Sequence, residues 1–402
     1  MNIAFNIIAL IVLACWAIKK PTHYVIGYFI YLSSFLGFIS NEIMISGIEL
    51  SAFTSNIIPL SVALTHWKKI EDKFSKHIII TLLLFCLYGI LKPLIDGNQG
   101  FVQSIISSKT YTFYFFGIYL ITYKKIINFQ KIFNVLLYIS IWFSLLHIIN
   151  NIGIRIIPPA YIKGDWFQCR FESFVPFALL YLHSPICNIK RYKLLLTIIL
   201  LIGIYFGDFF SLLITILILL PLQYLIIKYW KKKAALLIFI FIGLFSAILL
   251  YEYAKETTLY KERYSMQEDA LSSRSRYNEF RWELIDKEFN FGYGFLHHTS
   301  HFLSFYINEE HSYMSTFTYI DSGYIDLMGK FGLYGTILFL AVPLLLIIKG
   351  IRKIDCINSV LFILQMFFVN ITWSVFTYQM GIPLLAIAYS YILNNSQKKQ
   401  TI

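Results

Sequence analysis

Residues 194–227 read LLLTIILLIGIYFGDFFSLLITILILLPLQYLII, an apolar run whose one charged side chain is Asp208. A helix of about 20 apolar residues crosses the hydrocarbon core of a bilayer, so this run is too long for a single span. We expect it to break at Gly207-Asp208, where a tight hairpin can turn. The stretch therefore predicts two consecutive membrane-spanning helices, at about 194–207 and 209–227.

Similar apolar runs recur along the whole chain of 402 residues. Of these residues 58% are hydrophobic and 14% are charged, with a mean hydropathy of +0.66, whereas a soluble domain carries about 25% charged residues. We therefore expect an all-α polytopic membrane protein with about 12–13 transmembrane helices, forming a single integral membrane domain over residues 1–402. The predicted spans are 2–18, 23–40, 50–66, 77–95, 105–122, 132–150, 171–187, 194–207, 209–227, 234–252, 331–348, 357–376 and 378–394.

The formal net charge of +12 has a simple origin, because Lys and Arg collect in every second loop. Under the positive-inside rule these loops lie in the cytoplasm, which gives an outside N-terminus and an inside C-terminus for thirteen spans. We expect the lipid bilayer as the surrounding partner and no nucleic acid. The basic loops are 19–20, 68–76, 124–131, 190–193, 228–233 and 349–353, with 398–399 at the end.

Three outside loops remain, at about 96–104, 151–170 and 253–320. The last is the longest and most polar segment of the chain and precedes the last two or three spans; loops of that length are usually functional. Within this large periplasmic or extracellular loop, charged residues and Trp282 recur at helical spacing. That pattern predicts a short amphipathic helix over 277–288, lying on the outer face.

Arginines stand at the entry to this helix: Arg274, Arg276 and Arg281. Helix N-terminal amides and guanidinium groups together suit a phosphate or diphosphate. In the alternative, the arginines only neutralise the acidic residues of the same helix. Arg170 is a second outside arginine, at a span boundary where the topology disfavours it. Its alternative role is a local ion pair with a neighbouring carboxylate.

Two carboxylates, Asp321 and Asp326, follow the long loop near the outer membrane edge. A carboxylate in that position is a candidate general base beside the arginines. In the alternative, Asp321 caps the following helix and Asp326 pairs with Lys330 at i,i+4.

We expect no metal and no other cofactor. His297, His298 and His301 do not have a standard zinc spacing and are interpreted as loop residues. The five cysteines are scattered without a CxxC pair, so they indicate neither a zinc site nor a disulfide framework.

In this combination the chain resembles the O-antigen polymerase (Wzy) family, within the O-antigen polymerase/ligase superfamily of membrane glycosyltransferases. The resemblance includes the overall architecture: about a dozen spans, with one long outside loop in the C-terminal part of the chain. Ligases carry a histidine at the position that matches Asp321, so the aspartate favours the polymerase branch. The family also often has an arginine in the span pair at 194–227, which is absent here. The segments that carry the resemblance are Arg170-Phe171-Glu172-Ser173-Phe174-Val175-Pro176, Ser275-Arg276 with Phe280, Gly292-Tyr293-Gly294, Asp321-Ser322-Gly323-Tyr324 and Gly332-Leu333-Tyr334-Gly335.

The resemblance implies a metal-independent polysaccharide polymerase in the bacterial cytoplasmic (inner) membrane, which uses undecaprenyl-diphosphate-linked oligosaccharide as donor and acceptor. The product would be O-antigen, capsule or another exopolysaccharide, and a chain-length regulator protein would be a partner. The outside aromatics, Tyr277, Trp282 and Tyr293, would stack on sugars or anchor the loop at the interface. The matched site residues are Arg170, Arg276 and Arg281 for the diphosphate, with Arg274 as a fourth, Asp321 as the base, and Asp326 as the second candidate base.

Three other function classes stay open. An O-antigen ligase would differ in its acceptor. A flippase or transporter for the same lipid-linked oligosaccharide would be expected to carry charges in the middle of its spans, and these are almost absent here. A non-catalytic membrane scaffold would not depend on single arginines.

Overall fold

The computed structural model describes residues 2–35, 44–45, 48–49, 57–70, 72–154, 161–163, 166–168, 174–206, 210–230, 281–297, 299–306, 322–371, 374, 376 and 381–397. These residues are mainly helical. Two antiparallel hairpins of very short strands complete them: β1 (Met44–Ile45) with β2 (Ile48–Glu49), and β3 (Tyr161–Lys163) with β4 (Trp166–Gln168). The helices are α1 (Asn2–Lys19), α2 (Pro21–Phe35), α3 (Ile58–Thr65), α4 (Lys73–Ile95), α5 (Phe101–Ser107), α6 (Tyr114–Tyr123), α7 (Phe129–Asn151), α8 (Phe174–Leu182), α9 (Lys193–Phe206), α10 (Phe210–Lys228), α11 (281–287), α12 (His301–Tyr306), α13 (Gly323–Gly350), α14 (Ile357–Val369) and α15 (Gly381–Gln397).

Four stretches of helix within the described residues are long and apolar enough to cross a membrane, and they indicate an all-α membrane protein. They are Lys73–Ile95, Phe129–Asn151, Ser211–Lys228 and Gly323–Gly350. Shorter apolar helices accompany them at Ile7–Lys19, Lys193–Phe206 and Ile354–Val369. The predicted span at 234–252 lies outside the described residues.

The apolar run at 194–227 contains two described helices. Helix α9 covers Lys193–Phe206 and α10 covers Phe210–Lys228, while the predicted break at Gly207-Asp208 lies outside the described residues. Helix α9 packs closely against α7. A Cβ on Gly203 would overlap the side chain of Ser144, and such pairs of small residues let membrane helices approach each other.

The predicted single span at 105–122 is wrong, because the chain breaks there. Helix α5 ends at Ser107, a turn of 3-10 helix follows, and α6 begins only at Tyr114. In between, the Ser108 hydroxyl donates to the carbonyl of Ile105 at 2.7 Å and the Thr112 hydroxyl donates to that of Lys109 at 2.6 Å. Such hydroxyl bonds to the backbone compete with regular helix.

One end of the helix bundle is held by a buried ion pair. The Lys124 ammonium, after α6, donates to the Asp72 carboxylate before α4 at 2.6 Å and to the Ser75 hydroxyl at 2.5 Å. Burial alone would raise the pKa of the Asp72 carboxyl, but the hydrogen bonds from Lys124 and Ser75 outweigh it and hold that pKa below its usual value. Burial lowers the pKa of the Lys124 ammonium, although its bond to Asp72 offsets part of this.

Candidate functional site

Helix α13 is interrupted at Gly332, and this break organises the candidate site. Gly332 has φ +62° and ψ −170°, in the middle of an otherwise helical stretch. Only glycine adopts such a backbone conformation readily. The break leaves the carbonyls of Gly329 and Lys330 without their in-helix donors, and it turns the amides of Leu333 and Tyr334 away from the helix.

The segment at 289–294 supplies partners for all four of these backbone groups. Two amides of that segment donate into the break, and two of its carbonyls accept from the residues after the break. We call this set of four hydrogen bonds the glycine junction. They are Tyr293 N–H to Gly329 C=O at 2.8 Å, Gly294 N–H to Lys330 C=O at 2.9 Å, Leu333 N–H to Phe289 C=O at 2.8 Å and Tyr334 N–H to Asn290 C=O at 3.3 Å.

The glycines of the junction are required by space as well as by backbone conformation. Gly292 has φ +70°, and a Cβ there would lie 2.5 Å from the Gly332 nitrogen. A Cβ on Gly332 would overlap the backbone of Asn290. Two of the segments that carry the family resemblance, Gly292-Tyr293-Gly294 and Gly332-Leu333-Tyr334-Gly335, therefore meet backbone to backbone.

The segment after the junction is also fixed to α4. Pro93 lies inside α4 and has no N–H to offer the carbonyl of Gly89. That carbonyl instead accepts from the Phe295 amide at 2.7 Å. The phenyl ring of Phe295 lies where a side chain at position 89 would be, and its centre is 4.6 Å from that of the Tyr111 ring, with the two planes tilted by 34°.

Two of the predicted outside loops, 96–104 and the end of 253–320, are hydrogen-bonded to each other. Gln99 donates to the Phe295 carbonyl at 2.6 Å and accepts from the His297 amide at 2.7 Å. His301 contacts the Gly97 carbonyl at 2.5 Å through Nε2. His297 and His301 thus contact protein groups, and the described residues contain no cluster of three side chains suited to a metal ion.

The described part of the amphipathic helix, α11, has one exposed face and one buried face, as its sequence predicts. Trp282, Glu283, Asp286 and Lys287 are exposed, while Arg281, Leu284 and Ile285 are buried. The Ile285 side chain clusters with Ile325 and Met328 of α13. Helix α11, which also carries the buried Arg281, therefore packs on the helix that carries Asp326.

Asp326 forms the ion pair that the sequence offers as the alternative to a catalytic role. Its carboxylate oxygens lie 2.6 Å and 2.8 Å from Lys330 Nζ, and the residue is 2% exposed. The same Nζ lies 5.7 Å from the centre of the Tyr111 ring. The Tyr111 hydroxyl is buried and has no hydrogen-bond partner among the described residues.

Of the aromatics considered for sugar stacking, Tyr293 is a structural residue. It is 3% exposed, and its hydroxyl donates to the Leu284 carbonyl at 2.7 Å. The interpretation of Tyr293 as a sugar-stacking or interfacial residue is therefore wrong. Trp282 is 41% exposed and stays available for either role. Tyr277 lies outside the described residues.

Sequence reasoning missed Asn370, which follows α14 and is completely buried beside the start of α13. Its backbone carbonyl accepts from the Gly323 amide at 2.9 Å. The available signal was a polar residue inside the predicted span at 357–376. That predicted span proves too long, because α14 ends at Val369.

The structure describes two of the six predicted site residues, Arg281 and Asp326, and places them on the packed helices α11 and α13. Arg170, Arg274, Arg276 and Asp321 lie outside the described residues. A scan of protein-family models and a search of curated proteins each give no match to this chain.

Proposed function

We propose that this protein is a polysaccharide polymerase that joins undecaprenyl-diphosphate-linked oligosaccharide repeat units at the outer face of a bacterial cytoplasmic membrane. In this proposal the chain crosses the membrane 12 or 13 times and exposes residues 253–320 outside. The observation that carries it is the glycine junction, because it fixes the segment after α11, with Arg281, against the helix that carries Asp326.

The distribution of charge supports the sidedness of this proposal. Gly89, in α4, is seventeen positions after Asp72, which directly precedes that helix; this corresponds to about 25 Å of helix. The Asp72 end carries Lys73, Lys76 and Lys349, and Lys349 Nζ lies 4.1 Å from the centre of the Phe74 ring. By the positive-inside rule that basic end faces the cytoplasm, so the glycine junction faces outwards.

The proposed reaction is a glycosyl transfer between two lipid-linked oligosaccharides. The bond between the anomeric carbon of the donor sugar and a diphosphate oxygen breaks, and the electron pair leaves with undecaprenyl diphosphate. A hydroxyl oxygen of the acceptor sugar forms the new glycosidic bond and gives its proton to the base. Guanidinium groups stabilise the charge that develops on the diphosphate. In this scheme they are Arg170, Arg274, Arg276 and Arg281.

The two aspartates have different roles in this scheme. Both carboxylate oxygens of Asp326 are within 2.8 Å of Lys330 Nζ. A carboxylate with both oxygens on an ammonium group is better placed to orient a neighbouring group than to accept a proton. Asp321 is therefore the proposed base, with Asp326 as a positioning residue.

The experiment uses a deletion strain complemented with variants of the full chain. Arg276→Ala and Asp321→Ala should leave the membrane level of the protein normal but abolish long polysaccharide, while single lipid-linked repeat units persist. The control is Arg352→Ala, at an exposed arginine of a predicted cytoplasmic loop, which should restore full-length polymer. The site assignment is wrong if Arg276→Ala and Asp321→Ala both make full-length polymer.

The deletion itself distinguishes the related functions. Loss of a polymerase leaves single repeat units on the lipid at the outer face. Loss of a ligase would leave long polymer on undecaprenyl diphosphate, and loss of a flippase would leave single units at the inner face. Either of these two outcomes would overturn the proposal.

A further inference from the structure

The Asn370 side chain is an unusual group for a protein interior. The residue is 0% exposed, and neither its amide oxygen nor its amide nitrogen has a hydrogen-bond partner among the described residues. Buried amides in folded proteins are nearly always paired, and an unpaired one costs about 1–3 kcal/mol. The amide is therefore a candidate to bind a group that enters from outside the protein.

The position of this amide is fixed at the first turn of α13. The side-chain oxygen and nitrogen of Asn370 lie against Gly323, where any Cβ would overlap them. Two further bonds hold the ends of α13 and α14 together: the Gly323 amide donates to the Asn370 carbonyl at 2.9 Å, and the Tyr324 hydroxyl donates to the Phe367 carbonyl at 2.8 Å. Gly323 thus leaves room for the amide at the start of the helix.

Further polar groups lie at the start of α13. Ser322, at the N-cap of α13, makes no side-chain capping bond, and the first amides of a helix have no acceptor within it. Asp326 lies in the same first turn, and Ile325 beside it contacts the Arg281-bearing helix through Ile285. An unpaired amide and a helix N-terminus therefore adjoin the carboxylate of the candidate site.

We propose that Asn370 binds hydroxyl groups of the acceptor saccharide and so positions it at the start of α13. An amide offers an acceptor and donors side by side, and sugar hydroxyls both donate and accept. A phosphate only accepts, which leaves the amide oxygen unpaired. Asn370 is therefore a positioning residue for a saccharide rather than for the diphosphate. This inference rests on the proposed polymerase function.

A purely structural role makes a different prediction, and the chain offers a matched control. Asn358, on the same helix α14, is also buried with both amide atoms unpaired among the described residues. It precedes Asn370 by twelve residues, about 18 Å of helix, at the opposite end of α14. If both amides are only packing defects, Asn358→Leu and Asn370→Leu should behave alike.

The test measures thermal unfolding and steady-state kinetics on the full chain in nanodiscs, with lipid-linked repeat units extracted from the deletion strain. Without substrate, both leucine variants should unfold at the wild-type temperature or above it, because an unpaired polar group has been removed. Only Asn370→Leu should raise KM for the lipid-linked units, by about tenfold, the loss expected for one hydrogen bond. Asn370→Ala serves in the same way if the leucine variant does not fold.

Two results would overturn the inference: a KM for Asn370→Leu and Asn370→Ala within twofold of wild type, or an equal rise in KM for Asn358→Leu. Failure of the proposed function is detected separately, as wild-type protein that makes no polymer. In that case binding of the saccharide released from the lipid is measured directly by calorimetry. Binding to wild type and not to Asn370→Leu supports the inference, and equal binding or none overturns it.

Discussion

The Phe295 amide donates a hydrogen bond of 2.7 Å to the carbonyl oxygen of Gly89, inside helix α4. This bond exists because Pro93, four residues later in the helix, has no N–H to occupy that carbonyl. A proline inside a predicted span is usually interpreted as a kink, yet here it leaves a free acceptor for a loop. The loop segment that continues from the glycine junction is fixed through this acceptor.

Pro93→Ala should weaken this attachment without unfolding the protein. The new amide at position 93 competes with Phe295 for the Gly89 carbonyl, and one hydrogen bond of this kind contributes about 1 kcal/mol. Hydrogen–deuterium exchange should therefore accelerate in peptides covering 289–297. Pro221→Ala, inside α10, is the matched control and should leave that exchange unchanged. Unchanged exchange in Pro93→Ala would contradict the assignment.

Gly332→Ala tests the glycine junction. Alanine at this position needs a left-handed backbone, which costs about 1–2 kcal/mol, and its Cβ would also overlap the Asn290 backbone. We expect a total loss of about 2–5 kcal/mol in the free energy of unfolding, since overpacking adds about 1–3 kcal/mol. Thermal unfolding in detergent measures this loss.

Gly97→Ala separates the two contributions. Gly97 has a similar φ of +69°, but no atom lies within 4 Å of its Cβ position. At Gly97 the loss in unfolding free energy should be only the cost of the strained backbone conformation, about 1–2 kcal/mol. Equal losses for Gly97→Ala and Gly332→Ala would mean that close packing around Gly332 adds nothing to the loss in stability.

Apolar run length predicted much of the helical architecture, because a membrane helix needs continuous apolar residues whatever its neighbours are. The exposed face of α11 follows from local composition in the same way. The break at Gly332 was missed, since one glycine inside an apolar run does not change the average hydropathy. The interruption of 105–122 was missed for the same reason: Ser108 and Thr112 act through single hydroxyl bonds.

The candidate site was less accessible to sequence reasoning than the helices were. The i,i+4 spacing of Asp326 and Lys330 was enough to suggest their ion pair, which is a local interaction. The amide of Asn370 and the carbonyl of Gly89 contact residues far away in the chain, Gly323 and Phe295. Such tertiary contacts leave no periodic signal in a single sequence.

The ion pair of Asp326 with Lys330 should contribute more to stability than an i,i+4 pair of the same residue types elsewhere in the chain. Side-chain exposure is 3% for Asp326 and 21% for Lys330, with a closest distance of 2.6 Å. Asp326→Asn leaves the ammonium facing a neutral group in a buried setting, so we expect a loss of about 3 kcal/mol in unfolding free energy.

The comparison is Asp96→Asn in the pair of Asp96 with Lys92, whose closest atoms are 2.7 Å apart and whose side chains are 26% and 17% exposed. Water solvates that pair better, so its loss should cost less than about 1 kcal/mol. Chemical unfolding of both variants under one set of conditions measures the difference. A larger loss for Asp96→Asn would contradict the ranking.

The ion pair of Asp72 with Lys124, at the opposite end of α4, predicts a pH dependence. The pKa of the Asp72 carboxyl is lower in the folded protein than its ordinary value. Its contribution to stability is therefore fully present above the unfolded pKa of about 4 and is lost as the pH falls through the folded pKa. Asp72→Asn leaves Lys124 buried without its charge partner, so at pH 7 we expect a loss of about 3 kcal/mol.

Thermal unfolding of wild type and Asp72→Asn between pH 7 and pH 3 tests both parts of this prediction. The two unfolding temperatures should be well separated at pH 7 and should converge in acid, because protonation of Asp72 in the wild type mimics the asparagine. Asp355→Asn, at an exposed aspartate, is the control and should follow the wild type throughout. A separation that stays constant down to pH 3 would show that the ion pair does not hold this end of the bundle.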